Sequence, residues 1–301
     1  MKKVIITGHG GQLATELSLT APSTMHIVSF SSKQLDITNR ESVRDTLCNE
    51  KPDLIINAAA YTAVDKAESD VEAAYAVNAL GSENLAIVCQ ELSTKLIHIS
   101  TDFVFDGSKT TPYQVDDETN PLSVYGASKL AGEEKIAAIL GGNATIIRTA
   151  WVYSVHGNNF VKTMLRLMQE KEQLGVVWDQ VGTPTWAKGL AEMIWRLVEQ
   201  SGSSFCADYR SEKPVLLHWT DAGVASWYDF AIAIQELAIE KGLLAKAIPV
   251  IPIPASHYPT PAKRPSFSVI DKTAAETASC GRALHWRQQL STMLEEMKTI
   301  N

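Results

Sequence analysis

Tyr125 and Lys129 stand four residues apart in Tyr125-Gly126-Ala127-Ser128-Lys129, about one element downstream of Ser100-Thr101. That spacing puts both side chains on one face of a helix. An ammonium beside a phenol favours the phenolate and draws its pKa down from roughly 10. A tyrosine tuned in this way can hand a proton to a carbonyl oxygen while hydride arrives at the carbon. The chemistry would be that of a ketone reductase. A Y-x-x-x-K spacing also arises by chance in many helices, so its meaning depends on the elements that position it.

The elements upstream read as a nucleotide-binding α/β fold. Val4-Ile5-Ile6-Thr7 is a short β-branched run, as expected of a strand buried on both faces. Gly8-His9-Gly10-Gly11-Gln12-Leu13-Ala14 follows, and then a helical pattern to about Leu19. Glycines there let the backbone approach a pyrophosphate, while the helix N-terminus offers its free N–H groups to the anion. Gly8, Gly10, Gly11, Gln12 and Leu13 are therefore candidate cofactor contacts. His26 to Phe30 is the next strand, followed by Ser31-Ser32-Lys33 where an acidic residue would suit NAD. Two hydroxyls and a cation suit a 2′-phosphate, which favours NADPH, with NADH as the alternative. In Leu35-Asp36-Ile37-Thr38, Asp36 could meet the adenine beside Ile37 or cap the next helix, Arg40 to Asn49.

A third strand, Asp53 to Asn57, ends in Ala58-Ala59-Ala60, small residues that leave room for a ligand. Val71 to Leu92 reads as one amphipathic helix, Leu96 to Ser100 as a fourth strand, and Ala144 to Arg148 as a fifth. The Tyr125 helix starts near Val124. This alternation predicts a Rossmann-type doubly wound parallel sheet.

The composition fits such a protein. The chain has 301 residues, 45% hydrophobic and 20% charged, with net charge −7. An acidic balance argues against nucleic-acid binding. No apolar run approaches transmembrane length, and Val4-Ile5-Ile6 is too short for a signal-peptide core, so a cytoplasmic protein is expected. Cys48, Cys89, Cys206 and Cys280 have no metal-ligand spacing and read as free, mostly buried thiols in a reducing compartment.

In order along the chain, the glycine loop, Asn57 to Ala60, Ser100-Thr101-Asp102 and Tyr125-x-x-x-Lys129 resemble the extended short-chain dehydrogenase/reductases. Longer runs narrow this to a resemblance to the dTDP-4-dehydrorhamnose reductases. Among them are Asn57 to Glu68, Thr101 to Gly107, Pro121 to Gly126, Arg148 to Tyr153, Gly157 to Phe160, Asp179 to Thr185 and Tyr258 to Pro265. The resemblance implies a catalytic triad of Thr101, Tyr125 and Lys129. Tyr125 would protonate the sugar carbonyl, Lys129 would bind the nicotinamide ribose and lower the phenol's pKa, and Thr101 would hydrogen-bond near the carbonyl. It further implies reduction at carbon 4 of dTDP-6-deoxy-L-lyxo-4-hexulose. The family also implies an NAD(P)-binding domain over 1–150, with a helix near 187–200 returning to it. Its substrate lobe would be discontinuous, drawn from 151–185 and 218–301.

For the substrate, Thr101, Asp102, Phe103, Trp151, Asn159 and Arg264 are candidate contacts. Trp151 could line the sugar or belong to the core. Asn159 sits where the helix Val161 to Glu170 opens and its amide could reach a diphosphate, as could the cations Arg166, Lys263 and Arg264. Ser226 is expected to cap a helix whose aromatics, Trp227 and Tyr228, pack.

A sugar-nucleotide dehydratase would need a further acid/base pair after the threonine. Phe103 cannot transfer a proton, which favours simple reduction, although the family usually carries Tyr there. A non-catalytic NADP-binding subunit, like that of methionine adenosyltransferase, and a reductase of a sibling 4-keto-6-deoxy sugar are the other readings. Some family members form magnesium-bridged homodimers. Glu16 matches one such carboxylate, but Lys188 stands where another is expected, so no required metal is predicted and a homodimer is left open.

Overall fold

The computed structural model describes residues 1–200 and 212–300. Short aliphatic runs form a six-stranded sheet: β1 (Lys2–Thr7), β2 (Met25–Phe30), β3 (Leu54–Asn57), β4 (Lys95–Thr101), β5 (Ala144–Thr149) and a sixth strand, Val215–His218. Every pairing is parallel, and the spatial order is sixth, β5, β4, β3, β1, β2. The chain is thus the α/β doubly wound protein expected from its strand–helix alternation.

Alternation along β1 explains why helices cover both faces. Val4 and Ile6 point to one side, where they pack with Leu13, Leu17, Leu190 and Ile194. Ile5 points to the other, among Val43, Leu47, Ile55, Leu85 and Ile136. The helix Ala187–Gln200 therefore packs on the sheet, through the same face as the helix Gln12–Leu19. A third core joins Tyr153 of a short strand, Val152–Tyr153, to Val161, Met164, Phe230, Ile234, Trp286 and Leu290 of the helices Phe160–Glu170, Trp227–Glu240 and Trp286–Ile300. Ala275 and Ala278 of a short helix, Thr273–Ala278, belong to the sheet's core.

From β1 the chain moves outward to β2 on one side and to β3 on the other. Helices that follow these strands diverge, which leaves a crevice at the carboxyl ends of β1 and β3.

Several local expectations need correction. The stretch 71–92 is a helix Val71–Tyr75, a π-helical turn Ala76–Leu80, and a helix Gly81–Leu92. The helix Arg40–Glu50 is capped by Asn39, which accepts from Ser42 N–H at 3.1 Å. Asp36 instead closes a local turn, accepting from the Thr38 N–H at 2.9 Å and from its hydroxyl at 2.8 Å. Cys89 is buried, but Cys48 and Cys280 are exposed, Cys280 in a left-handed turn with φ 49°; Cys206 lies outside the described residues. Ser226 does cap its helix, in a reciprocal capping box with Asp229. Among the described residues no helix is long and apolar enough to cross a membrane.

Candidate active site

The crevice is shaped by glycine where a side chain would not fit. Gly8 has φ 81°, and a Cβ on it would lie 2.8 Å from the Ala58 carbonyl oxygen. The end of β1 can therefore lie against the tail of β3. Gly10 borders open space. Gly11 is the N-cap of the helix Gln12–Leu19 and supplies no side chain to its first N–H groups. The helix N-terminus is thus left for an anion. Ala58, Ala59 and Ala60 form a half-buried wall opposite. Leu13 is buried, while Gln12 accepts a hydrogen bond from Asn159 Nδ2 at 2.9 Å. On the β2 flank, Ser31 directs both its N–H and its hydroxyl to Gln34 Oε1. Ser32, Lys33 and Asp36 are exposed, and Ile37 is buried against Gly81. The donor set, an open helix end with a cation and hydroxyls one strand away, fits a dinucleotide carrying a 2′-phosphate.

The helix Val124–Leu140 begins at Ser123, whose hydroxyl accepts from Gly126 N–H at 3.2 Å. It sits flush on the 3₁₀ turn Asp102–Val104, so closely that a Cβ on Gly126 would collide with the Phe103 carbonyl. This contact brings Tyr125 to the end of β4. Its phenol comes close enough to the Thr101 side chain to be influenced by it. Its ring meets Phe103 edge-to-face, with centroids 5.6 Å apart. Thr101 donates in turn to Asp102 Oδ1 at 3.1 Å. Asp102 is buried, its Oδ2 has no partner, and burial pushes its carboxyl up to about 6.

Lys129 takes its place one turn below Tyr125 but turns inward. Its Nζ donates to the Ile99 carbonyl at 2.7 Å and stands 3.2 Å from His98 Nε2. Burial pulls Lys129 down to about 8 and pushes Tyr125 up to about 12. The expectation that the ammonium depresses the phenol is thus corrected. Desolvation is the larger effect on both groups, and the amine is directed at β4.

Sequence reasoning missed the residues that brace this cluster. Glu133, one turn beyond Lys129, accepts from the Ser100 hydroxyl and bidentately from Arg148, with Nη2–Oε2 at 2.7 Å and Nε–Oε1 at 3.1 Å. Asn78, in the π turn, accepts from Tyr61 N–H, donates to the Tyr61 carbonyl and donates to Ser128 Oγ. It ties the loop after Ala60 to the Tyr125 helix. A polar residue inside an apolar periodicity was the available signal in each case.

On the substrate side, Trp151 has φ 48° and stacks on Trp227 at 3.5 Å and 6°. It fills the space beside Gly182, and both indoles border the third core. Asn159 caps the helix Phe160–Glu170 through its oxygen, while its amide nitrogen bridges Ser154 and Gln12. Arg264 forms a bidentate pair with Asp65 at 3.0 and 2.8 Å and also donates to Thr260 and Ala262. That engages most of one guanidinium face, joining the loop after β3 to a segment 199 residues away. Arg166 pairs with Glu170 on an exposed helix face. Thr101, Asp102, Phe103 and Tyr125 are therefore brought together, with Lys129 beneath them. Glu16 accepts from Ser154 at 2.6 Å, and Lys188 pairs with Glu296 at 2.7 Å. Among the described residues no group of three His, Cys, Asp or Glu side chains could hold a metal.

The model of the RmlD substrate binding domain family matches residues 1–299. The chain belongs to that family. A dTDP-4-dehydrorhamnose reductase from Aggregatibacter actinomycetemcomitans is 39% identical over 97% of the chain and 98% of the relative. SpsK, a spore coat polysaccharide biosynthesis protein of Bacillus subtilis, is 38% identical over 98% of both chains. The solved structure of the Bacillus anthracis dTDP-4-dehydrorhamnose reductase in complex with NADP superimposes with TM-score 0.88. It is 34% identical and covers 98% of this chain and 100% of that one.

Proposed function

We propose that this chain reduces the 4-keto group of dTDP-4-dehydrorhamnose to dTDP-L-rhamnose, with NADPH as hydride source and Tyr125 as proton donor. The observation that carries the reading is the Tyr125 phenol set beside Thr101 at the end of β4, in the same sheet as the glycine-shaped crevice that would take a dinucleotide. The family and its NADP-bound member supply the class of substrate and cofactor. The bound cofactor supplies hydride to carbon 4, and the protein must supply everything else.

Gly8 to Leu13 and the helix N-terminus would hold the pyrophosphate, Ser32 and Lys33 the 2′-phosphate, and Ala58 to Ala60 the wall beside the nicotinamide half. Asp36 and Ile37 would lie at the adenine end. With its phenol pushed up to about 12, Tyr125 is protonated at neutral pH and enters the reaction loaded as an acid. Thr101 fixes the direction of that O–H. The phenolate left after transfer has Lys129 Nζ one turn away on the same helix. Phe103 brings no proton-transfer group beside Tyr125, so the acid/base pair that elimination of water needs is left with Asp102 alone and simple reduction is favoured. Trp151, Asn159 and Arg264 would receive the nucleotide sugar; for Arg264 the free guanidinium edge beyond Asp65 is the contact surface.

One relative from Streptomyces niveus, 36% identical, is named dTDP-4-keto-6-deoxy-D-glucose reductase, which keeps a sibling sugar as the second reading. Both are tested by following NADPH oxidation with each dTDP-4-keto sugar prepared in situ. The expected result is turnover with dTDP-4-dehydrorhamnose and a loss of about 10²–10⁴ in kcat for Tyr125→Phe. Undiminished turnover in that variant would remove Tyr125 from its role. Binding of NADPH without oxidation by any such sugar would favour a regulatory subunit.

A further inference from the structure

Beneath Lys129 lies a buried polar chain that the reaction described above does not use. Thr7 Oγ1 donates to Asn57 Oδ1 at 2.6 Å, Asn57 Nδ2 meets His98 Nδ1 at 3.0 Å, and His98 Nε2 meets Lys129 Nζ at 3.2 Å. Thr7, Asn57 and His98 come from β1, β3 and β4, adjacent in the sheet. His98 and Lys129 are each 1% exposed, so water cannot stand in for a missing partner.

The hydrogen bonds have a direction, and one backbone group fixes it. Ala59 N–H is an obligatory donor, and it points at Asn57 Oδ1 at 3.2 Å and Thr7 Oγ1 at 3.3 Å. Turning the Asn57 amide over would set its NH₂ against that N–H, donor to donor. Asn57 therefore presents its NH₂ to His98, and Nδ1 must accept. A neutral imidazole accepting at Nδ1 carries its proton on Nε2. The group facing Lys129 Nζ is thus an N–H. An ammonium has three donors and no acceptor, so it cannot bond that N–H; an amine can accept from it and still donate to the Ile99 carbonyl.

We propose that His98 is a positioning residue that sets the protonation of Lys129. Its Nε2–H, oriented by Asn57, bonds the amine form of Lys129 and disfavours the ammonium. The proposal rests on Lys129 belonging to the reductase site only for its consequence, not for its chemistry. Burial works in the same direction, drawing Lys129 down to about 8 and His98 well below its ordinary value. The remaining charges around Lys129 are accounted for. On its own helix stand Tyr125 and Glu133, and Glu133 favours the ammonium but is itself bound by Arg148 of β5. Asp102 acts on Tyr125 from the turn after β4. Glu68 binds the helix start at Val124 N–H, and Lys135 pairs with Glu83 on the Gly81–Leu92 helix. Only His98 offers a donor directly to Nζ among the described residues.

The test reads Lys129 itself. In protein labelled with [¹³C]lysine, the Lys129 Cε resonance, assigned by its loss in Lys129→Arg, is followed against pH. The wild type is expected to titrate well below the ordinary lysine range. Three variants separate the chain's direction from mere packing. His98→Leu removes the donor. Asn57→Asp still accepts from Ala59 and Thr7 but now accepts from Nδ1–H as well, which moves the ring proton to Nδ1 and turns Nε2 into an acceptor. Both are expected to raise the Lys129 midpoint by about one pH unit or more. His98→Gln, whose amide can accept from Asn57 and donate to Nζ, is expected to restore the low midpoint. An ordinary lysine midpoint in the wild type, or a midpoint that Asn57→Asp leaves in place or lowers, overturns the proposal. If His98→Leu does not fold, Asn57→Asp decides alone. Failure of the reductase assay would count against the proposed function and leave this titration standing.

Discussion

Glu133→Gln probes the ion pair that holds the end of β4. Glu133 and Arg148 are each 5% exposed, and the carboxylate takes two guanidinium bonds and the Ser100 hydroxyl. Arg148 Nη1 is already buried without a partner. Removing the carboxylate's charge leaves a guanidinium in the core with a weaker acceptor. Breaking one side of a buried pair costs about 3–5 kcal/mol, and glutamine's remaining acceptor places the expected loss near the lower end, about 3 kcal/mol. At roughly 2–4 °C per kcal/mol, Tm should fall by about 6–12 °C. Urea denaturation at neutral pH, with the slope checked for constancy, gives the free energy directly. Because the loss comes from an unpaired charge, Glu133→Leu combined with Arg148→Met should recover more than half of it. A loss under about 1 kcal/mol, or a double variant no better than the single, would refute the reasoning. Since Ser100 precedes Thr101, kcat should fall in the single variant as well.

Three shorter predictions accompany it. Lys129→Met should abolish turnover yet stabilise the fold. Depression of Lys129 from 10.5 to about 8 implies a cost of about 3 kcal/mol for keeping it buried at neutral pH. That cost is full below about 8 and fades as pH rises to 10.5, so the stability gap between variant and wild type should close over that window; a constant gap would count against it. Asp65→Asn, at a partly exposed pair, should change stability by less than about 1 kcal/mol. It should raise KM for the sugar nucleotide several-fold with little change in kcat, because Arg264 loses its orienting partner; an unaltered KM would separate Arg264 from substrate binding. EDTA should leave activity intact, and loss restored by magnesium would show that the Lys188–Glu296 pair does not replace a bound metal.

The sequence was most readable where one physical demand dominates. A β-branched run followed by glycines marks β1 and the crevice, because few other residues satisfy two-faced burial and φ 81° at Gly8. Thr101 and Tyr125 could be placed by spacing and strand ends. The rest depended on partners distant in sequence. Nothing near Arg264 announces Asp65, and nothing near Lys129 says that His98 rather than Tyr125 faces its amine. The π turn at Ala76–Leu80 was invisible because apolar periodicity continues through it, while the partners of its Asn78, Tyr61 and Ser128, lie elsewhere in the chain. Asp36 and Asn39 are equally good caps by residue type, and only the tight turn closed at Thr38 decides between them. The sixth strand, Val215–His218, is four residues long and went unread for the same reason: its partner is β5, far upstream.

The chain enters and leaves the third core repeatedly. It passes from Tyr153 and Trp186 back to Leu190 and Leu217, out to Phe230, back to Ala275, and out again to Leu290. No single cut separates the part that would hold the cofactor from the part that would hold the sugar. A truncation would therefore leave a core incomplete, and a one-point recombination between relatives would mix residues of two parents within both cores. Changes of sugar preference in such a scaffold have to accumulate residue by residue in loops, because the lobe cannot be exchanged as a cassette.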